Sequence, residues 1–194
     1  MAHLTSESVR RLFVESGALL HGHFQLSSGR HSDQYLEKFR LVENPAVLEP
    51  LCEELASRCA QLEAQYTLGP TTAGIILAYC VARHLGIQAR FAEPASSGRE
   101  LRRGQVLPEG ARVLIVDDIL TTGLSVRECI EAAARHKAAV VGVAVLADRS
   151  GDVSFGMPLT ALLTERFPSY RAEECPLCAR GVPLTKPGSR LSTR

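Results

Sequence analysis

Two segments of this chain, Val113–Val116 and Ala139–Leu146, run without a single polar side chain. A strand with one wet face alternates apolar and polar residues, so a run that is apolar on both faces has to be covered on both. The spacing predicts a helix between them, from about Gly123 to His136. It also predicts a strand near 66–68, a helix over 74–85, a strand over 87–92 and a last short strand near 161–163. Apolar strands alternating with helices define an α/β fold, a parallel sheet flanked by helices on both faces. Ahead of this pattern, apolar Val9, Leu12, Phe13 and Val14 mark a helix from Ser6 that stops at Gly17, and Asn44-Pro45 starts another that runs to about Leu62. Residues 22–38 read as two strands joined by a tight loop at Ser27-Ser28-Gly29, a flap outside the main sheet. Residues 93–111 carry three glycines and two prolines without periodicity, the pattern of a lid loop.

Composition narrows the function. The 194 residues suit one domain that buries roughly 70% of its unfolded surface. Lys and Arg number 22 against 21 Asp and Glu, so no overall basic field argues for nucleic acid or a membrane surface. An anion site has to be local. The first residues, "MAHLTSESVRRLF", lack the pattern of a secretory signal and no apolar run approaches a membrane span, which makes a cytoplasmic protein the expectation. Cys52, Cys59, Cys80 and Cys129 fall on apolar helix faces, where reduced cysteine acts as a small buried hydrophobe.

The chemistry is concentrated in "VLIVDDILTTGLS", residues 113–125. In parallel α/β sheets ligands bind beyond the carboxyl ends of strands, which is where Asp117 and Asp118 follow the apolar run. Thr121, Thr122, Gly123 and Ser125 then bring hydroxyls and backbone amides to the start of the next helix, a place that favours phosphate. Carboxylates accept hydrogen bonds from a vicinal diol, so the complementary ligand is a ribose 5-phosphate. The bland alternative is that the acids end the strand and cap the helix. A nucleotide P-loop is excluded, because no Gly-Lys-Ser or Gly-Lys-Thr is present.

The same thirteen residues resemble the phosphoribosyl pyrophosphate (PRPP) signature of the type I phosphoribosyltransferases. "GHFQLSSGRHSDQY", "LGPTTAGIILAYCVARHLG", "LRRG", "LADRSG" and "CPLCARGVPLTKPGSR" extend the resemblance over nearly the whole chain, toward the orotate-using branch of that family. The resemblance implies a single domain over 1–194, with a hood from residues 1–40 and about 150–194, a core over about 64–148 and a mobile lid over 93–111. It implies a Mg²⁺-dependent enzyme that transfers phosphoribosyl from PRPP to orotate in pyrimidine biosynthesis, and a homodimer. By the same resemblance Asp117 and Asp118 hold the ribose hydroxyls, Thr121, Thr122, Gly123, Leu124 and Ser125 form the 5-phosphate loop, and Ile119 and Leu120 also belong to the PRPP site. Thr72 and Ala73 meet the pyrophosphate, Thr121, Arg149 and Ser27 meet orotate, and Arg102 and Arg103 of the lid are catalytic. Mg²⁺ is expected mainly on PRPP oxygens, with Asp117 and Asp118 as further ligands.

Three departures stand out. Many relatives carry lysine where this chain has Ser27, Ala73 and Pro94, and Arg99, Arg102, Arg103 and Lys38 are the candidates to supply the missing charge. If they do not, the expectation is a weak enzyme or a PRPP-binding regulator without turnover; a phosphoribosyltransferase for another base is a separate alternative. "CPLC", Cys175 and Cys178, has half the spacing of a zinc site. A metal there would need histidines from far along the chain or from another subunit, so the expectation is a packed turn in the hood.

Overall fold

The structure is a computed structural model and describes residues 3–26 and 28–187. Helix α1 (Ser6–Glu15) is capped by Thr5, whose side chain accepts from the Ser8 amide, and it buries Val9 and Phe13. Strands β1 (Leu19–Gln25) and β2 (His31–Leu36) pair antiparallel as the flap hairpin, and a four-residue helix α2 (Phe39–Val42) follows. Helix α3 (Pro45–Cys59) starts where Asn44-Pro45 predicts, with the Asn44 side chain accepting from the Ala46 amide, and ends in a 3-10 turn at Ala60–Leu62. The main domain continues through β3 (Tyr66–Pro70), α4 (Ala73–Leu85), β4 (Gln88–Pro94), β5 (Arg99–Glu100), β6 (Arg112–Leu120), α5 (Leu124–Arg135), β7 (Ala139–Asp148) and β8 (Leu159–Thr164). A single helical turn, α6 (Pro176–Ala179), lies in the C-terminal segment. Among the described residues no helix is long and apolar enough to cross a membrane.

The main sheet has the order β5-β4-β3-β6-β7-β8. All its pairs are parallel except β4–β5, so the sheet is mixed, with one short antiparallel edge strand. The lid region is accordingly more ordered than its composition suggests. Its first residues lengthen β4 to Pro94 and fold back as β5, and the Gln105 amide bonds both the N–H and the carbonyl of Phe91 at 3.0 and 3.2 Å. A side-chain amide here takes the place of a missing neighbouring strand.

Alternation along β6 distributes its residues between two cores. Leu114 and Val116 pack with α3 and α4, while Val113 and Ile115 pack with Val126 and Cys129 of α5. Both faces are covered, which is why the run contains no polar residue.

β3 and α4 approach so closely that side chains do not fit between them. A Cβ on Gly69 would lie 2.0 Å from the Gly74 carbonyl oxygen, and one on Gly74 would lie 2.6 Å from Pro70 Cδ. The Thr67 hydroxyl, donating to the Ala78 carbonyl at 2.8 Å, holds the same contact. Gly69→Ala should therefore cost about 3 kcal/mol or more, at the upper end of overpacking. Gly86→Ala, at a left-handed position (φ 70°) with open space around it, should cost only about 1–2 kcal/mol. Urea denaturation of the two variants checks this, and equal costs would contradict the close-approach explanation.

Candidate active site

From β3 the chain crosses through α4 to β4 on one side, and from β6 it crosses through α5 to β7 on the other, so the sheet switches direction between β3 and β6. Their pairing stops at Leu68↔Ile115, whereas β6 stays paired with β7 as far as Leu120↔Asp148. The strand expected to end at Val116 thus runs on through both acids, supported from one side only. On the other side β3 turns away through Pro70–Thr72, opening a crevice at the switch point of the sheet. This cleft has a volume of about 220 Å³ and is lined by Lys38, Thr71, Thr72, Asp117, Thr121 and Ser125 among others. A larger opening of about 710 Å³ at the amino ends of β3 and β4 is lined by Gln65, Tyr66, Gln88 and Glu109 and has neither the paired acids nor the cations of the cleft.

Adjacent residues on a strand point to opposite faces, and the two acids find different partners. Asp117 accepts from the Ser125 hydroxyl at 2.7 Å and from the Asp118 amide at 2.8 Å. Asp118 accepts from the Ile119 amide at 2.6 Å and pairs with the Lys38 ammonium at 2.8 Å. Both are buried. Burial first, and the Asp118 charge second, push the Asp117 carboxyl up to about 6, while Ser125, the Asp118 amide and Lys38 oppose the rise.

Behind the acids, Thr121 and Thr122 are exposed and Gly123 takes a left-handed conformation (φ 78°) as the residue before α5. A Cβ on Gly123 would press on Val153 and Phe155, so the turn demands glycine twice over. The first amides of α5 have no intrahelical acceptor and point toward the loop, where the helix dipole adds to the attraction for an anion. Ile119 and Leu120 instead pack into the two cores, leaving only their backbone for a ligand, and Leu124 is exposed.

Of the other expected residues, Thr72 lines the cleft and Ala73 is buried at the first position of α4. Arg149 follows β7, its amide donating to the Leu120 carbonyl at 2.8 Å and its guanidinium lying 4.1 Å from the Phe167 ring centroid. Burial lowers its pKa from the ordinary arginine value, with Tyr35 opposing, and its Nε is buried without a hydrogen-bond partner. Ser27 lies outside the described residues. Arg102 and Arg103 are not brought into this chain's cleft: Arg102 lies 3.6 Å from Glu100, and Arg103 binds both oxygens of Glu93 at 2.9 and 3.0 Å. The arginine of residues 93–111 that does line the cleft is Arg99, donating to the Thr71 hydroxyl at 3.2 Å with its Nε 3.1 Å from Glu128. Lys38 was legible only as spare charge, and its meeting with Asp118 across the fold leaves no local signal. Thr71 stands out in retrospect through the Gly69–Gly74 bracket.

Residues 42–155 match the phosphoribosyl transferase domain. The chain belongs to the phosphoribosyltransferase family. Over nearly its full length it falls among the orotate phosphoribosyltransferases. The one from Pelotomaculum thermopropionicum is 45% identical, with 96% of this chain and 99% of the relative covered. The one from Carboxydothermus hydrogenoformans is 46% identical, with 93% and 96% covered. The crystal structure of orotate phosphoribosyltransferase from Aeropyrum pernix superimposes with a TM-score of 0.67 at 27% identity, covering 80% of this chain and 93% of that one.

In metal-free protein the Asp117 carboxyl should titrate near pH 6 by carbon NMR. Because the folded value lies above the unfolded one of about 3.9, the stability this group contributes is present below about pH 4 and is lost as pH rises through 6. Asp118→Asn should lower the midpoint and Ser125→Ala should raise it. A midpoint near pH 4 in the wild type would contradict the assignment of burial as the main cause.

Proposed function

We infer that the cleft binds PRPP and orotate and transfers the 5-phosphoribosyl group to a ring nitrogen of orotate, giving orotidine 5-monophosphate and pyrophosphate, a step of pyrimidine biosynthesis. The observation that carries this reading is the meeting of two buried carboxylates with a helix amino end beside the splay of β3 and β6. The relatives supply the choice of base. In this reading Asp117 and Asp118 accept from the ribose diol, and the 121–125 loop receives the 5-phosphate.

Cleavage of the bond from the anomeric carbon to pyrophosphate develops positive charge on the sugar and negative charge on the leaving group. The buried carboxylates stabilise the first. Lys38 and Arg99, both in the cleft, stand against the second and offset the lysine missing at Ala73. Orotate is already anionic at neutral pH, so positioning and electrostatics suffice without a general base. The side chains that line the cleft offer oxygen donors from Asp117, Asp118 and the Thr and Ser hydroxyls, with no thiol or imidazole, a set that fits Mg²⁺. When bound, Mg²⁺ neutralises pyrophosphate charge. Asp117 and Asp118 are the residues that would hold it, and the 2.8 Å ion pair with Lys38 orients Asp118.

Arg149 is assigned to orotate, because a guanidinium fork matches a carboxylate and a carbonyl. Its stack on Phe167 and its unpaired Nε support that role. Consumption of orotate in the presence of PRPP and Mg²⁺ tests the function directly. Arg149→Ala should then raise KM for orotate by one to two powers of ten, the equivalent of a charged hydrogen bond worth about 1.5–3 kcal/mol, and leave KM for PRPP nearly unchanged. Equal effects on both substrates would point to a structural role, and no orotate consumption by the wild type would leave PRPP binding without turnover.

The homodimer belongs to the same proposal. α4 turns Ile76 and Tyr79 to solvent and α2 does the same with Phe39, an apolar surface suited to a second copy. Arg102 and Arg103, turned away from their own cleft, are assigned to the neighbouring one. A cytoplasmic location fits the six free thiols. Arg102→Ala/Arg103→Ala should depress kcat more than PRPP affinity, because the contacts form on closure. Mixing that variant with inactive Asp117→Asn/Asp118→Asn should restore part of the activity. A folded mixed dimer with no recovery would place the arginines in their own subunit or outside the reaction.

A further inference from the structure

The C-terminal segment that follows β8 has almost no core of its own. Between residues 165 and 187 only Cys175 and Leu177 are buried apolar side chains. The segment nevertheless lies along the flap hairpin in two places. The amides of Gln25 and Thr185 donate to the carbonyls of Thr185 and His23 at 2.8 and 2.7 Å, and His31 and Tyr170 exchange a pair of backbone hydrogen bonds at 2.8 Å. Small lobes with so little apolar surface are usually held by something besides packing.

Where these chains meet, four side chains converge. His23 Nε2 lies 3.1 Å from His31 Nδ1 and 3.4 Å from Cys175 Sγ. Cys178 Sγ lies 3.7 Å from His23 Nε2 and 3.2 Å from His31 Nδ1. The four atoms all fall within 4.8 Å of one another. A tetrahedral centre with metal–nitrogen bonds of about 2.0–2.1 Å and metal–sulfur bonds of about 2.3 Å has edges of about 3.3 Å between nitrogens and about 3.6 Å between nitrogen and sulfur. The observed spacings scatter around those edges. The cysteines are free thiols, and His23, His31 and Cys175 are all but closed to solvent, at 3%, 4% and 2% exposure.

We propose that His23, His31, Cys175 and Cys178 form a structural zinc site that clasps the C-terminal segment to the flap hairpin. The paired thiolate and imidazole donors select zinc over the hard cation assigned to the catalytic cleft. The ring of His23 is already oriented for coordination, since its Nδ1 lies 2.8 Å from the Val182 carbonyl, which holds the proton there and leaves the Nε2 lone pair facing the other three donors. The expectation of a simple packed turn at CPLC is thereby revised, because the histidines a zinc site lacked in sequence are delivered by β1 and β2. The clasp also bears on the active site. β2 begins at His31 and ends at Leu36, just before Lys38, so fixing its first residue steadies the strand that carries Lys38 to Asp118.

Untagged protein, purified with reductant and without chelator, should carry one zinc per chain by mass spectrometry of the metal. Removal of zinc and titration with cobalt(II) should produce the visible bands of a tetrahedral cobalt site and a thiolate charge-transfer band, saturating at one equivalent. Cys178→Ser, which alters the one exposed ligand, should lose much of the charge-transfer band and lower the unfolding temperature, whereas Cys129→Ser should keep the full cobalt spectrum. Should Cys178→Ser fail to fold, the wild-type cobalt spectrum and thiol count decide alone. Wild-type protein with neither zinc nor a tetrahedral cobalt spectrum would overturn the proposal. So would a Cys175–Cys178 disulfide under reductant, or an unchanged spectrum in Cys178→Ser.

Discussion

Past Leu68 and Ile115 the backbones of β3 and β6 no longer share hydrogen bonds, while β6 remains tied to β7 for several more residues. Every feature of the cleft depends on that one-sided pairing. It opens space on the β3 side and keeps Asp117 and Asp118 on a paired strand, with Ser125 of the following loop 2.7 Å from Asp117. The divergence of β3 depends in turn on its contact with α4, where Gly69 and Gly74 let backbone meet backbone. A packing constraint in the core thus sets the geometry of a polar site on the surface.

The electrostatics follow from the same arrangement. Two carboxylates on successive residues of a buried strand repel each other and lose hydration, and the cost shows in the raised pKa of Asp117. Ser125, Lys38 and two backbone amides offset it without neutralising the pair. A ligand that brings hydroxyl donors and a cation completes what the protein leaves partly satisfied. The positive charge of the cleft comes from Lys38, just ahead of α2, and from Arg99 of β5, and in the proposed function it helps admit a polyanionic sugar phosphate.

Much of this was legible in the sequence because it is local. The apolar runs predicted the strands, Asn44-Pro45 the start of α3, and "DDILTTGLS" a strand leading through a turn into the next helix. The acids proved to lie within β6, since pairing with β7 outweighs the low strand preference of aspartate. The lid proved partly sheet-like because Gln105 reaches back to Phe91, a contact that composition cannot reveal. What stayed hidden was long-range. Lys38 meets Asp118, Arg99 meets Thr71, and two histidines from a hairpin meet two cysteines near the other end of the chain, pairings created only by the fold.

The central claim, that Asp117 and Asp118 read the ribose hydroxyls, can be measured without turnover. Calorimetry would compare ribose 5-phosphate with 2-deoxyribose 5-phosphate on the wild type and on Asp117→Asn/Asp118→Asn. The wild type should bind the deoxy sugar ten- to a hundredfold more weakly, which corresponds to about 1.5–3 kcal/mol for a hydrogen bond to a charged group. The folded double variant should bind the two sugars nearly equally. Discrimination that survives intact in the variant would contradict the account and assign the hydroxyls to other residues.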